Sequence, residues 1–525
     1  MPEARKRAGV RARRLLWLTL ALLAGCATQP PYAKPALETP GAWSGTVQIA
    51  AEAPALPEDW WARLSDPAID TLTAAALADS PTLAQAVARL EEAQAALGTA
   101  AAQRVPSVDA SAGMSRARQA ASDGVGGTSH ATSASLGLAL GWELDLFGRV
   151  RSSVEVAEYR IDARRADAAS ARLTLAAQVG TEVLALRACG FSRQVLTDDI
   201  ASRERVLALT ELRLETGAAA RVDAARARSG LADARTRLAL RDEACVRSTN
   251  ALTALTGRSP AQIGTLVATT LPAGDTVPVP VSQPPFPGGT SPRAARLSVA
   301  SVMPRAPAVS LALPADVLLR HPDVVSAQRE VAAAWADIAV ARAERLPRVD
   351  LAALLTGQWL RAAGATASST TWSLGPSLTA PLFDGGRGKA NVDAALARYD
   401  AARAGLRVAL RLAAQDVENA LAAVQSAQTR LTTAGEAADA SQILLIASEA
   451  QWREGAISLF ELEDARRQFA AAQDSAIAAA QDSGQAWIAL VRASGSAATA
   501  AVPAATFRAP THSDHPSRLP HHAET

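Results

Sequence analysis

Two spacings of apolar residues divide this chain. Over Leu136, Leu138, Leu140, Trp142, Leu144 and Leu146 every second residue is apolar, with Gly137, Ala139, Gly141, Glu143 and Asp145 between them. Val349, Leu351, Ala353, Leu355, Gly357 and Trp359 repeat the alternation on odd positions, and Trp372, Leu374, Pro376, Leu378, Ala380 and Leu382 on even ones. Ser107 to Ser115 is a weaker fourth member. Alternation over about ten residues with Trp near the ends predicts membrane-spanning β-strands, one face toward lipid and a small or polar face toward water. A pair of soluble hairpins with one face on a core is the alternative. Four strands cannot close a barrel, and open edges in lipid would leave backbone groups unpaired at several kcal/mol each. Several chains must then share one barrel.

The other spacing is helical. No proline occurs between Pro106 and Pro260, or between Pro381 and Pro503. Within these spans, Gly148 to Thr216 and Gly386 to Glu454 are dense in Ala, Leu, Arg, Glu and Gln, the strong helix formers. A helix over either stretch would run about 100 Å at 1.5 Å per residue. Length, alanine content and interleaved charge predict coiled-coil packing; several shorter helices broken at unmarked bends would fit the same periodicity.

The pattern occurs twice. Pro81 and Pro106 return at Pro322 and Pro347, 241 residues on (322 − 81 and 347 − 106). Phe147 answers to Phe383 (383 − 147 = 236), Gly217-Ala218 to Gly455-Ala456 and Gly257 to Gly495 (455 − 217 and 495 − 257, both 238). Near-constant offsets predict one duplicated unit of helix, strand pair and long helix pair. The divisions that follow are 1–25 leader, 26–78 N-terminal segment, 79–257 first repeat (hairpin 107–147, helix pair 148–257), 258–315 connector, 316–495 second repeat (hairpin 348–384, helix pair 386–495) and 496–525 tail. Ten prolines between Pro272 and Pro314 make the connector irregular. The tail carries His512, His515, His521 and His522 without a metal-ligand spacing, so it reads as solvated.

The first residues change the picture of location. Arg5 to Arg14 supply a basic region, Leu15 to Leu23 an apolar run too short to span a membrane, and Leu23-Ala24-Gly25-Cys26 follows. That tetrapeptide resembles the bacterial lipoprotein signal, which implies a diacylglycerol and an N-acyl chain on Cys26; an ordinary cleavage site beside a chance cysteine is the alternative. Ala27 in place of the aspartate of inner-membrane retention points to the outer membrane. Cys189 and Cys245 lie 28 residues either side of Gly217 (217 − 189 and 245 − 217). If Gly217 turns an antiparallel helix pair, the two face each other, and an oxidising periplasm favours a disulfide over two buried thiols. The formal net charge of +2 gives no electrostatic case for nucleic acid. There is no phosphate loop, no Cys/His metal cluster and no Ser/His/Asp set, so neither enzyme activity, metal nor soluble cofactor is expected.

Several segments together resemble the TolC-like outer membrane efflux channels, in their lipidated NodT-type branch. They are Asp59-Trp60-Trp61-Ala62-Arg63-Leu64 with Asp66-Pro67, Trp142 to Arg149, Leu313 to Val324, Ala341 to Val349 and Pro381 to Arg387. The order is right from Asp59 to Gly495, and the long proline-rich connector departs from it. The resemblance implies a mainly α fold with a small β-barrel part. It implies a homotrimer whose twelve-stranded transmembrane β-barrel continues into a periplasmic α-helical coiled-coil barrel. Such a channel is a passive duct in the outer membrane lipid. It is joined by a periplasmic adaptor to an inner-membrane, proton-driven pump, and exports small toxic compounds. An exit duct for secreted protein and a structural periplasmic coiled-coil lipoprotein are the competing readings.

Functional residues are then expected at the helix-pair turns. Phe460, Asp464 and Arg467 share one helical face (i, i+4, i+7). The resemblance makes them an apolar ring, an acidic ring and an arginine that constrict the periplasmic aperture. It adds Glu461 as a further acid and Asp223 as an acid bonding across the tips in the closed state. Gly217, Ala218 and Arg221, with Gly455, Ala456 and Leu459, would form the adaptor-binding tips. A solvated charged face with one core phenylalanine is the plain alternative.

Overall fold

The computed structural model describes residues 32–37, 39–44, 48–49, 56–120, 128–270, 272, 276–278, 302–308, 310–311, 314–362 and 365–497. The leader with Cys26, most of the proline-rich connector and the histidine-bearing tail lie outside the described residues.

The two repeats have matching dimensions. Helices α1 (Pro67–Asp79) and α2 (Pro81–Ala102) lead into strands β1 (Ser107–Ala120) and β2 (Thr128–Leu144), then α3 (Arg149–Glu215), α4 (Arg221–Thr256) and α5 (Pro260–Thr269). The second repeat gives α6 (Pro322–Ala343), β3 (Arg348–Ala362), β4 (Ala365–Thr379), α7 (Arg387–Arg453) and α8 (Leu459–Ser494). The long helices α3 and α7 are each 67 residues, their partners α4 and α8 each 36, and α2 and α6 each 22. Both long helices are continuous, about 100 Å at 1.5 Å per residue. Ser80 and His321 cap α2 and α6 ahead of Pro81 and Pro322 at N1.

The strands form one antiparallel sheet in the order β1-β2-β3-β4, and β1, weakest in the sequence pattern, runs a full 14 residues. Its register brings the separate alternations onto one face. Val108 pairs with Leu140, Leu140 with Ala353 and Ala353 with Leu374; in the next row Ala110, Leu138, Leu355 and Trp372 align. Trp372 is 77% exposed, and Leu136, Leu374 and Leu378 are exposed beside it. The opposite face carries Ser107, Ser111, Ser115, Gly137, Gly141, Thr356, Ser369 and Thr371. One chain therefore displays an unburied apolar sheet face and two unpaired edges.

The helices are layered in the same way. Away from the sheet the packing order is α4–α3–α8–α7, and nearer to it α2–α3–α6–α7. Two contact periods coexist. Within the first pair, Glu204–Arg235 and Glu211–Arg228 are both 2.8 Å ion pairs seven residues apart, the coiled-coil repeat. Between α3 and α8, contacts instead recur every eleven: Arg203 with Glu463 (2.9 Å), Ser192 with Asp474, and Gln485 Nε2 with the Thr181 carbonyl (3.2 Å). Eleven residues in three turns is about 3.67 per turn, the repeat of a right-handed supercoil and not the 3.5 of the left-handed heptad. Small residues set the approach: a Cβ on Gly484 would come within 2.7 Å of Leu184 Cδ1. The coiled-coil packing expected from length and composition thus has a seven-residue step inside the first helix pair and an eleven-residue step between α3 and α8.

A buried anchor pins the N-terminal segment across the middle of the bundle. Asp66 accepts from Arg187 Nε and Nη2 at 2.6 and 2.7 Å and caps α1 through Ala68 N–H. Trp60 packs against Trp487 with ring centroids 5.7 Å apart and the planes inclined at 50°. Cys189 and Cys245 are joined by a disulfide with a Cα–Cα distance of 5.5 Å, tying α3 to α4.

Candidate gate at the helix-pair tips

Each helix pair turns on a left-handed glycine. Gly217 has φ +76° and Gly455 φ +74°, positions that a side chain would strain. In the first tip Ala218 N–H and Ala219 N–H both return to the Arg213 carbonyl, at 2.7 and 3.1 Å; in the second, Ala456 N–H returns to Gln451 at 2.9 Å. The tips then diverge. The second has a capping box: Ser458 Oγ accepts from Glu461 N–H, and the Glu461 carboxylate accepts from Ser458 N–H (2.7 Å) and Oγ (2.9 Å). These bonds from Ser458, its backbone N–H first, hold the Glu461 carboxyl below the ordinary carboxylate range. The first tip has Ala220 as N-cap, which offers no side-chain acceptor, and Asp223 bonds Ala220 N–H at 3.3 Å.

Four of the five sequence-predicted gate residues fall on the exposed side of α8, and the fifth, Asp223, lies in the first turn of α4. Phe460, Glu461 and Arg467 are exposed and Asp464 half-buried, whereas Leu462, Ala465, Arg466 and Phe469 face inward. Asp464 and Arg467 pair with each other, and Gln468 Nε2 donates to Asp464 at 2.6 Å. The Phe460 ring lies 5.3 Å below the Arg226 guanidinium of α4. Arg226 Nη1 is in turn 3.8 Å from Asp223. Within one chain, Asp223 therefore reaches the second tip only through Arg226 and is otherwise spent on its own helix start. Glu461 likewise serves its own cap. Arg221 and Leu459 open α4 and α8 beside the exposed turns. A second cationic contact, Arg213 over Trp452 at 5.2 Å, joins the long helices at this level.

Beneath the stripe is a buried ionic network that the sequence pattern did not single out. Arg203, 5% exposed, donates Nε to Asp199 and Nη1 to Glu463, both at 2.9 Å. Glu463 also meets Arg466 Nη1 (3.3 Å), whose Nη2 reaches Glu449 of α7 at 3.2 Å. A Cβ on Gly230 would lie 2.8 Å from Arg203 Nη1, so α4 leaves room for it. The network ties α3, α7 and α8 together just inside the tips. The available signal was Arg466, the one charged residue among the buried positions of α8. Among the described residues no group of three or more His, Cys, Asp or Glu side chains is placed to hold a metal ion.

Residues 72–258 and 313–496 match the sequence family described as outer membrane efflux protein. The chain belongs to the outer membrane efflux protein family. The two matched stretches are the two structural repeats, so the family pattern is itself duplicated. Among relatives, the chain is 28% identical to the pyoverdine export outer membrane protein OpmQ of Pseudomonas aeruginosa over 462 residues, covering 87% of this chain and 90% of OpmQ. It is also 28% identical to nodulation protein T of Rhizobium leguminosarum bv. viciae, with 88% of each chain covered. The solved outer-membrane channel OprN superposes with a TM-score of 0.71 at 25% identity, over 89% of this chain and 98% of that one. The protein is an efflux channel of the outer membrane, and its nodulation-protein-T likeness agrees with the branch read from its motifs.

Proposed function

We propose that three copies of this chain close into one passive exit duct, lipid-anchored at Cys26 and gated at the α8 stripe. The carrying observation is that both layers end in open edges of the same kind. The sheet begins with β1 and ends with β4, which run antiparallel, so β4 of one copy pairs with β1 of the next. The helical order α4–α3–α8–α7 likewise leaves α4 and α7 as outer flanks. Those flanks expose Leu240 and Val246 on α4, and Leu412, Ile443 and Ile446 on α7. Two copies would give eight strands, whose interior side chains fill. Three give twelve, and the Ser/Gly/Thr face then lines water.

Reach supports the anchor. Tyr32 packs on Tyr159 with ring centroids 6.2 Å apart, and Tyr159 is ten residues, about 15 Å, below the start of α3. Six residues of extended chain span at most about 20 Å, so Cys26 can return to the strand–helix boundary at the inner lipid surface.

At the tips, three Asp464 carboxylates would form an acidic ring that repels itself and favours cations. Pairing with Arg467 and the Arg226–Phe460 contact hold it narrow. Exposed pairs contribute about 0–1 kcal/mol each, so an adaptor docking on Gly217–Arg221 and Gly455–Leu459 can open it. An inner-membrane proton-driven pump would supply the energy, and small toxic compounds the cargo. Two measurements test the assembly. Native mass of the detergent-extracted protein should give three chains, and radiolabelled palmitate should enter the wild type and not Cys26→Ala. A monomer, or label retained in the variant, overturns the respective part.

A further inference from the structure

The charges of the four strands are sorted by face and by height. Their three acids, Asp109, Glu143 and Asp350, all stand on the small-residue face near the helix-bearing end. Arg348 is on that face too, bonded to Asp350 at 2.9 Å. The remaining basic residues, Arg116, Arg118, His130 and Arg361, all stand on the apolar face at the opposite end. Arg116 pairs with Thr132, Thr132 with Arg361 and Arg361 with Thr366; Arg118 pairs with His130 in the next row. The row immediately below is Met114, Ala134, Trp359 and Ser368.

The apolar band beneath them runs from Val349 to Trp359 along β3, ten steps or about 33 Å; a strand tilt near 40° reduces this to about 25 Å, the height of an outer-membrane hydrocarbon belt. The basic rows therefore begin where hydrocarbon ends, on the outer side, two residues past Trp359. Arg116 and Arg361 are separated by a single strand, about 10 Å, and Arg118 stands about 7 Å further out. All three and His130 are exposed, and none has an ion pair with a carboxylate among the described residues. Three guanidinium groups in that space repel one another at the edge of a low-dielectric layer. Each offers a planar fork of donors matched to phosphate oxygens. Residues 121–127, which lie outside the described residues, contain a single acid, Asp123.

We propose that Arg116, Arg118 and Arg361, with His130, form a binding site for the phosphate-bearing headgroup of an acylated glycolipid in the outer leaflet. Its acyl chains lie against Leu136, Leu355 and Trp372. The site rests on the barrel reading above, because only a lipid-facing sheet places these rows at the outer leaflet. It recurs once per chain around the barrel. It recruits lipid to the channel rim and holds the sheet at fixed depth.

The test uses the full-length protein in phosphatidylcholine nanodiscs, titrated with a bis-phosphorylated, hexa-acylated disaccharide lipid and with the same lipid dephosphorylated. Bound lipid is read by native mass spectrometry. The wild type is expected to hold the phosphorylated form at least tenfold more tightly than the dephosphorylated one. The combined variant Arg116→Gln, Arg118→Gln, Arg361→Gln is expected to lose that preference, and Arg361→Gln alone, which spares the fold if the combined variant does not assemble, to reduce it. Millimolar inorganic phosphate should leave the bound lipid in place. Equal retention of both lipids, an unchanged preference in either variant, or displacement by free phosphate would overturn the site. Oligomeric mass and ion conductance are recorded in parallel. A conducting trimer without lipid preference removes the site alone, whereas a wild type with neither mass nor conductance removes the barrel and the site with it.

Discussion

Replacing Arg203 by methionine should loosen the tips selectively. Its guanidinium bridges Asp199 and Glu463, with side chains 5%, 7% and 19% exposed, so its loss leaves two carboxylates facing each other largely out of water. Removing one partner of a buried ion pair costs about 3–5 kcal/mol. Glu463 keeps Arg466 as a second partner, which places the cost at the lower end, about 3 kcal/mol. At about 1.4 kcal/mol per factor of ten, local opening should become about a hundredfold more frequent. Native-state hydrogen exchange reads this directly: amides of 199–215 and 456–470 lose protection by that factor, while those of 165–180, on the far side of the Asp66–Arg187 anchor, do not. Neutralising all three residues together as Arg203→Met, Asp199→Leu and Glu463→Leu should restore most of it, because a packed apolar cluster replaces a buried pair at little cost. A uniform change along α3, or less than threefold at the tips, would refute the reasoning.

Other predictions are as specific. Replacing Cys189 and Cys245 by serine opens a link of sequence separation 56 and should lower unfolding stability by about 4 kcal/mol in the loop-entropy limit, measured by denaturant titration with and without reductant. Gly495→Ala should destabilise by about 1–3 kcal/mol and lower the thermal midpoint, since φ is +61° and a Cβ would fall 2.7 Å from Pro322 Cδ. His321 caps α6 by accepting Asp323 N–H on Nδ1 at 3.2 Å, and burial, opposed by Asp323 and Asp416, holds its imidazole below the ordinary value. The unfolded chain then takes up the proton first. Stability should fall as pH drops below about 6.5, by at most about 1.4 kcal/mol per unit from this group, and His321→Asn should flatten that slope in thermal scans.

The repeat, the long helices and the strands were legible because each has a periodicity or a spacing that local sequence carries. Parity alone foretold which strand face is apolar, and the register confirmed it by aligning Leu138, Leu355 and Trp372 in one row. The symmetric placement of Cys189 and Cys245 about Gly217 was enough to pair them. The buried ion pairs were not legible: Arg203 and Glu463 are 260 residues apart, Asp66 and Arg187 are 121 apart, and helices this rich in arginine offer many equivalent partners. The eleven-residue rungs between α3 and α8 were hidden for a related reason. Three contacts on two distant helices leave no mark on the composition of either. Of the gate residues read by resemblance, Phe460, Glu461, Asp464 and Arg467 lie on α8 and Asp223 on α4, and within one chain Glu461 and Asp223 each also bond the start of their own helix.

Ion conductance in planar bilayers tests the gated duct most directly, comparing wild type with Asp464→Ala and Arg467→Ala. The account predicts low resting conductance that rises in both variants, because each removes half of the pair on the exposed α8 stripe. High resting conductance indifferent to both substitutions would contradict the gate, and no conductance from membrane-inserted trimer would contradict the duct itself.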